Sequence, residues 1–433
     1  MAVRLDELAV PVIGAPMAGG ATTPELVAAV NAAGGLGFLA AGYRSAAAMA
    51  EQIELTRKVT DGPFGVNLFV PAAPGDPAAV AAYRERLRPE AERHGVVLPE
   101  AIGPDRDDWD AKIAALLAGP VAVVSYTFGL PAAEEARALR AAGVFQVGTV
   151  TTPEEARRAE AVGMDALCVQ GPEAGGHRAT HGVADRPGEV PLLALLAEVR
   201  AVTGLPLVAA GGLADGVSVA AALRAGAVAV QLGTALLRAD EAGTSAAHRA
   251  ALTEFEATAV TRAFTGRPAR GLRNAFIDLY GPYAPAAYPE VHHLTQPLRA
   301  AAAARGDTGA MHLWAGTGHR AARSGPAAGV GGGGGRRAVS PAALRPFPGA
   351  CLLDPVFRVQ ETGPLTVPAR PPWGRQPRAQ PSSSAIQASM AGTLRGSAPD
   401  ISRAPSAVTT RSSSIRTPMP RSSAGRVSSS GWR

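Results

Sequence analysis

The residue types best suited to chemistry are concentrated in residues 170–178, which have the sequence QGPEAGGHR. The apolar residues 166–169 precede them and predict a buried strand that ends at this turn. Glycines have no Cβ, so a ligand can approach the main chain closely and meet free backbone N–H groups. The imidazole of His177, whose ordinary pKa is near neutrality, can exchange a proton with such a ligand. On its own, the segment also fits a tight turn with a solvent-exposed histidine.

Two further glycine turns follow predicted strands. Gly211 and Gly212 come after a predicted strand at residues 207–210, and residues 231–234 (QLGT) end a predicted strand at 227–232. Backbone N–H groups and a threonine hydroxyl at such turns can bind a phosphate. Either turn alone is explained by local backbone geometry. Because both lie where a phosphate is often held in a barrel of alternating strands and helices, together they favour a phosphate site.

Two amide side chains, Asn67 and Gln170, end the predicted third and sixth strands. An amide presents a donor and an acceptor side by side, which suits a flavin ring or a nucleobase. The alternative is that each amide only satisfies the backbone of its own loop.

The elements that position these residues alternate regularly between strand and helix. Eight continuous apolar runs predict parallel strands covered on both faces, which together with the helices between them favour an α/β fold, the (β/α)8 TIM barrel. A doubly wound sheet is the alternative. The predicted strands lie at residues 10–16, 36–41, 64–69, 121–126, 144–147, 166–169, 207–210 and 227–232.

Beyond the barrel, the sequence predicts a helical extension from about residue 241 to 257, a loop at 264–271 and a further helix at 297–305. From residue 324 the chain loses its periodicity and is rich in Gly, Arg, Ser and Pro, which predicts disorder. We therefore expect a barrel domain with its extension at residues 1–323 and a low-complexity basic tail at residues 324–433.

Composition narrows the class of protein. Residues 1–320 hold 27 Arg and Lys against 33 Asp and Glu, a net charge of −6, whereas residues 321–433 hold 15 Arg against 3 acidic residues, a net charge of +12. The first part therefore gives no reason to expect a specific nucleic-acid partner. Two cysteines, Cys168 and Cys351, form neither a disulfide framework nor a metal-ligand spacing. With no signal peptide and no membrane span predicted, we expect a cytoplasmic protein.

Four motifs in this order, at residues 14–20 (GAPMAGG), 170–177, 209–216 (AAGGLADG) and 231–234, resemble those of nitronate monooxygenases. These are FMN-dependent TIM-barrel enzymes formerly called 2-nitropropane dioxygenases, and the resemblance covers about residues 5–323. It implies that His177 is the catalytic histidine. It also implies FMN contacts from Met17, Asn67, Gln170, Gly175, Gly211, Gly212, Gln231, Leu232, Gly233 and Thr234.

The implied reaction is the oxidation of an alkyl nitronate, or of its parent nitroalkane, by FMN and O₂ to a carbonyl compound and nitrite. His177 would act as a base or as a hydrogen-bond donor. Arg178 could help to attract the anion, but the favoured interpretation is a solvated loop arginine. Glu173 is interpreted as a carboxylate that braces the loop rather than as a second catalytic acid. His292 and His293 are interpreted as satisfied or exposed histidines.

Three other functions stay open from the sequence. Two are flavin enzymes of the same barrel, the FMN-dependent enoyl-ACP reductase and an NAD(P)H:quinone reductase. The third is a non-enzymatic sensor of a phosphorylated ligand, which needs only the glycine turns and leaves the His177 turn unexplained. The oligomeric state is not predicted.

Overall fold

A computed structural model describes residues 3–100, 102–103 and 105–330. Its main strands are β1 (Val12–Gly14), β2 (Phe38–Ala40), β3 (Gly65–Phe69), β4 (Val123–Thr127), β5 (Phe145–Val150), β6 (Ala166–Gln170), β8 (Leu207–Ala210) and β9 (Ala229–Leu232). These eight parallel strands form one sheet in the order β1-β9-β8-β6-β5-β4-β3-β2, and an isolated parallel bridge between Ile13 and Leu36 joins its two edges. The sheet is thus a barrel, which confirms the TIM-barrel prediction and excludes the doubly wound alternative.

The helices begin where the sequence supplies capping side chains. The hydroxyl of Thr23 accepts the N–H of Leu26, and that of Thr152 accepts the N–H of Glu155, each before a proline at the first helical position. The helices are α1 (Pro24–Ala32), α2 (Ala46–Val59), α3 (Pro77–Arg86), α4 (Arg88–His94), α5 (Trp109–Ala118), α6 (Ala133–Ala141), α7 (Pro153–Val162), α8 (Leu192–Arg200), α9 (Gly216–Arg224), α10 (Ala246–Glu254), α11 (Ala275–Tyr280) and α12 (Glu290–Arg305).

The segment after the barrel differs from the sequence prediction. The predicted helix at 241–257 is wrong at its ends, because only α10 is helical, and the predicted loop at 264–271 ends in a strand. Three short strands, β7 (Gly176–His177), β10 (Thr258–Thr261) and β11 (Ala269–Leu272), form a second, antiparallel sheet in the order β10-β11-β7. The pairing of β11 with β7 joins segments far apart in the chain, so local periodicity does not reveal it.

Two apolar clusters lie around the barrel wall and beneath the extension. The larger joins the barrel strands to the helices that cover them, and includes Val66, Leu167 and Val230. The second joins α12 to the segment around Phe264 and Leu313. In the part of the chain that the structure describes, no helix is long and apolar enough to cross a membrane.

The predicted disorder of the tail falls on residues 331–433, which lie outside the described residues. Residues 325–330 are described and contact the rest of the barrel domain. Ala327 is buried, and its N–H donates to the Glu241 carboxylate at 2.9 Å. The division expected between residues 323 and 324 stays a prediction, and these contacts place a sharper truncation point after Val330.

Candidate active site

A cavity of about 380 Å³ opens at the carboxyl ends of the barrel strands. The second sheet and residues 311–318 complete its wall, and its volume is within the range usual for cofactor and substrate sites. The predicted site residues that line it are Met17, Asn67, Gln170, Gly175, His177, Gly211, Gly212, Gln231, Gly233 and Thr234.

Leu232 is the predicted site residue that does not line the cavity. Its side chain is 1% exposed and packs in the barrel core, and its carbonyl accepts the N–H of Ala15 at 2.9 Å. Successive strand residues point to opposite faces, so its neighbours Gln231 and Gly233 face the cavity while Leu232 faces the helices.

Glycine turns form the part of the wall beneath the carboxyl ends of β8 and β9. Gly211 and Gly212 have positive φ values of 120° and 69°, a conformation that favours glycine. Within the described chain, the N–H groups of Gly211, Gly212 and Gly233 have no hydrogen-bond acceptor. Free N–H groups at turns that line one cavity are the kind of donor that a phosphate requires.

Residues 314–318 (WAGTG) complete these turns and were not predicted as part of the site. The Gly316 N–H donates to the Thr234 hydroxyl at 2.9 Å, and the Thr317 N–H donates to the Glu173 carbonyl at 3.0 Å. A Cβ at Gly175 would lie 2.4 Å from the Gly316 nitrogen, so the two turns touch backbone to backbone. The Gly-x-Gly spacing at 316–318 is the sequence signal that indicates such a turn.

The two amides are held by protein partners. The Asn67 side chain donates to the hydroxyls of Ser125 and Thr127 at 2.9 and 3.0 Å. The Gln170 side chain donates to the His177 carbonyl and accepts the N–H of Ala179. Both amides line the cavity, and Gln170 also holds the loop that carries His177. Their contact with a flavin stays a prediction.

His177 lies in β7, opposite Ala269 of β11, and its ring faces the cavity. Nε2 lies 2.9 Å from the Thr265 hydroxyl, whose oxygen is 3.4 Å from the Arg267 carbonyl. The rings of Phe128 and Trp314 have centroids 5.4 and 5.6 Å from the imidazole centroid. This second sheet, missed from the sequence, therefore fixes where His177 points.

The contacts of the Thr265 hydroxyl fit a tautomer of His177 that carries its proton on Nε2. If the Thr265 hydroxyl donates to the Arg267 carbonyl, its oxygen accepts a proton from Nε2. Nδ1 is then the unprotonated nitrogen. Nδ1 has no hydrogen-bond partner among the described residues, and His177 lines the cavity.

Burial, together with the nearby cations Arg267 and Arg299, lowers the pKa of His177 to about 3. The ring has no carboxylate partner among the described residues that would favour the imidazolium. At neutral pH the imidazole is therefore uncharged.

For the other polar residues near the site, the structure agrees with some of the sequence interpretations and contradicts one. The interpretation of Arg178 as a solvated arginine is wrong, because it is 1% exposed and burial lowers its pKa to about 10. Glu173 does brace its loop, since its carboxylate accepts the N–H of Leu192 at 3.2 Å. His292 is buried and satisfied by Arg299, and His293 pairs with Asp105 at 2.8 Å, as expected.

The cavity is also lined by residues that lie outside the sequence motifs. Its lining carries no Asp, Glu, Lys or Arg along the residues described. No group of His, Cys, Asp or Glu that could hold a metal ion occurs in the same part of the chain. The additional aromatic and histidine side chains are Tyr43, Phe69, His248, His312 and Trp314.

Comparison with known proteins assigns the family. Residues 3–330 match the family model described as nitronate monooxygenase. The chain is 41% identical over 335 residues to a nitronate monooxygenase of Pseudomonas aeruginosa, which covers 75% of this chain and 95% of that protein. It is 40% identical over 331 residues to a nitronate monooxygenase of Paraburkholderia phytofirmans, with 73% and 89% covered.

Two solved structures share the fold. A nitroalkane oxidase from Streptomyces ansochromogenes matches with a TM-score of 0.72 and 51% identity, covering 75% of this chain and 94% of that chain. FabK from Thermotoga maritima matches with a TM-score of 0.57 and 26% identity, covering 75% and 90%. Family model, relatives and structures agree over the whole barrel, and the chain belongs to the nitronate monooxygenase family.

Proposed function

We propose that this enzyme uses FMN and O₂ to oxidise alkyl nitronates to carbonyl compounds and nitrite, and that it also takes neutral nitroalkanes by removing a proton from carbon. The family and its named relatives support nitronate chemistry. The similarity to a Streptomyces nitroalkane oxidase supports the neutral substrate. The observation that carries the proposal is an uncharged histidine with a free nitrogen on the wall of the cavity.

The wall fits FMN. The free N–H groups of Gly211, Gly212 and Gly233 would hold the phosphate, and the close approach of Gly175 to Gly316 leaves no room there for larger residues. Asn67 and Gln170 stand at strand ends where they can contact the ring system. When bound, FMN supplies the redox chemistry of substrate oxidation and of the reaction with O₂.

The role proposed for His177 follows from its tautomer. Nδ1 accepts the proton of a neutral nitroalkane, while Thr265 holds Nε2–H and so keeps the ring oriented. The low pKa of His177 keeps the ring uncharged at neutral pH, and the negative charge that develops on the nitronate would raise this pKa as the proton is transferred. A nitronate has already lost this proton and needs only binding.

The aromatic surroundings of His177 favour small alkyl groups. Phe69, Phe128 and Trp314 place apolar rings around the imidazole and keep water away from it. A site that excludes water strengthens every electrostatic interaction within it, including the one with a developing nitronate charge.

The test compares the wild type with His177→Ala, supplied either with a nitroalkane or with its preformed nitronate. We expect turnover of the neutral nitroalkane to fall on the order of 10²–10⁴-fold, the usual effect of losing a general base. Nitronate turnover should fall only about tenfold, as for a lost hydrogen bond. O₂ uptake and nitrite release measure both reactions, and the FMN content of each protein is the control.

Equal losses on both substrates would show that His177 has no role as a base. A wild type that never uses the neutral nitroalkane would restrict the function to nitronates. A wild type inactive with both substrates would remove the proposed function.

A further inference from the structure

Two buried arginines near His177 form no ion pair with an acidic residue in the described chain. Arg267 is 0% exposed and Arg299 is 7% exposed. Arg267 donates to the carbonyls of Thr180 and His181. Arg299 donates to the Thr295 hydroxyl and the His292 carbonyl, and its guanidinium also lies 3.2 Å from His292 Nδ1.

These contacts do not cancel the charge of either guanidinium, and the buried Nε–H of Arg267 has no acceptor in the described chain. Among the residues described, neither guanidinium forms an ion pair with a carboxylate, although Asp185 acts on Arg267 from farther away. Buried charges are normally paired, because an isolated charge loses its hydration at high cost. Two unpaired cations in the same region therefore require an explanation.

Two rings separate each cation from the cavity. The Arg267 guanidinium lies 4.1 Å from the Phe128 ring centroid, and the Phe128 ring packs edge-on against His177. Arg299 contacts His292, whose ring stacks on Tyr43 at 3.9 Å, and Tyr43 lines the cavity.

Two of the residues that carry these rings have unusual backbone geometry. Tyr43 and Phe128 have φ values of 65° and 77°, which bulky residues rarely adopt. Backbone conformations of this kind concentrate at functional sites, where the surrounding structure holds them in place.

We propose that the cavity beside His177 binds small planar monovalent anions, and that Arg267 and Arg299 supply the affinity by charge rather than by contact. The field of both cations extends into a cavity whose described wall carries no opposing carboxylate. Tyr43 and His177 both line this cavity. If the proposed function holds, the nitronate substrate and the nitrite product belong to this class.

The affinity difference between acetate and acetamide tests this proposal, because the two molecules have nearly the same shape and differ in charge. Calorimetric titration of the wild-type protein, with excess FMN present, should show acetate binding at least roughly tenfold more tightly than acetamide. Equal affinities would overturn the proposal. This measurement needs no variant and no turnover.

Substitutions then assign the effect to the arginines. Arg299→Met should weaken acetate binding by roughly tenfold and leave acetamide unchanged, whereas Arg299→Lys should retain most of the affinity because it keeps the charge. Arg262→Met is the matched control. It removes one positive charge from a partly exposed residue beside the same loop, where solvent screens it, so acetate affinity should stay within about twofold.

Acetate binding that is unchanged in Arg299→Met, or equally lost in Arg299→Met and Arg299→Lys, would overturn the role of charge. Because acetate is not oxidised, the outcome is independent of the proposed function. An enzyme inactive on nitronates could still show the anion preference, and an active enzyme could lack it.

Discussion

Gly175→Ala tests whether the glycine turns act together as one phosphate cradle. A Cβ at residue 175 would lie 2.4 Å from the nitrogen of Gly316 and 2.6 Å from the carbonyl carbon of Ala315. Both atoms belong to the backbone, so neither can rotate away. The two turns must separate by about 1 Å to restore ordinary contact distances.

This separation has two measurable costs. The Gly316 N–H donates to the Thr234 hydroxyl at 2.9 Å, and a shift of about 1 Å breaks that bond. Overpacking of this kind costs about 1–3 kcal/mol of folding free energy. Thr234 follows Gly233 in the turn proposed to hold the phosphate, so its displacement should also misplace that donor. Losing one hydrogen bond to a charged phosphate costs about 1.5–3 kcal/mol, so FMN affinity should fall roughly ten- to a hundredfold.

Fluorescence titration with FMN measures the affinity, and thermal unfolding measures the stability. Gly204→Ala is the matched control, because a Cβ there meets no atom within 4 Å and the residue has no positive φ. It should leave both quantities unchanged. A Gly175→Ala protein that binds FMN as tightly as the wild type would refute the idea of a single cradle.

Three further predictions follow from the same geometry. Thr265→Val removes the hydroxyl that holds His177 Nε2. In steady-state assays we expect nitroalkane turnover to fall about tenfold and nitronate turnover to stay nearly unchanged. Equal losses on both substrates would contradict the orienting role of Thr265. A chain that ends after Val330 should keep wild-type unfolding temperature and FMN content, whereas one that ends after Arg323 loses the contact of Ala327 with Glu241 and should unfold earlier. The pKa of His177 is lowered from its ordinary value to about 3, so below about pH 6.5 the unfolded chain takes up a proton that the folded one does not. Stability should therefore fall as the pH drops from about 6.5 towards 3, and urea unfolding should show a shallower fall for His177→Phe; parallel curves for the two proteins would contradict the shift.

The barrel could be predicted because its signals are local. Each strand is a short apolar run bounded by glycine or proline, and helix starts such as Thr23-Pro24 carry their own caps. A proline also explains where one helical region divides. Helices α3 and α4 meet at Leu87, because Pro89 lacks the N–H that would continue the helix.

The site was predictable only where residue type alone indicates chemistry. The glycine turns and His177 meet this condition, and the structure gathers them around one cavity. The second sheet does not, because β11 pairs with β7, which lies much earlier in the chain. The expectation that Arg178 is exposed to solvent is wrong. It relied on the usual exposure of arginine side chains, whereas the folded loop buries this one.

The central claim is that this barrel uses a flavin to oxidise nitronates, and anaerobic mixing tests it most directly. The purified protein is mixed without O₂ with a preformed alkyl nitronate or with NADPH, and the visible absorbance of the flavin is followed. We expect rapid bleaching by the nitronate, slow or no bleaching by NADPH, and a released cofactor with the mass of FMN. Rapid bleaching by NADPH with no response to the nitronate would contradict the claim and assign the chain to reductase chemistry.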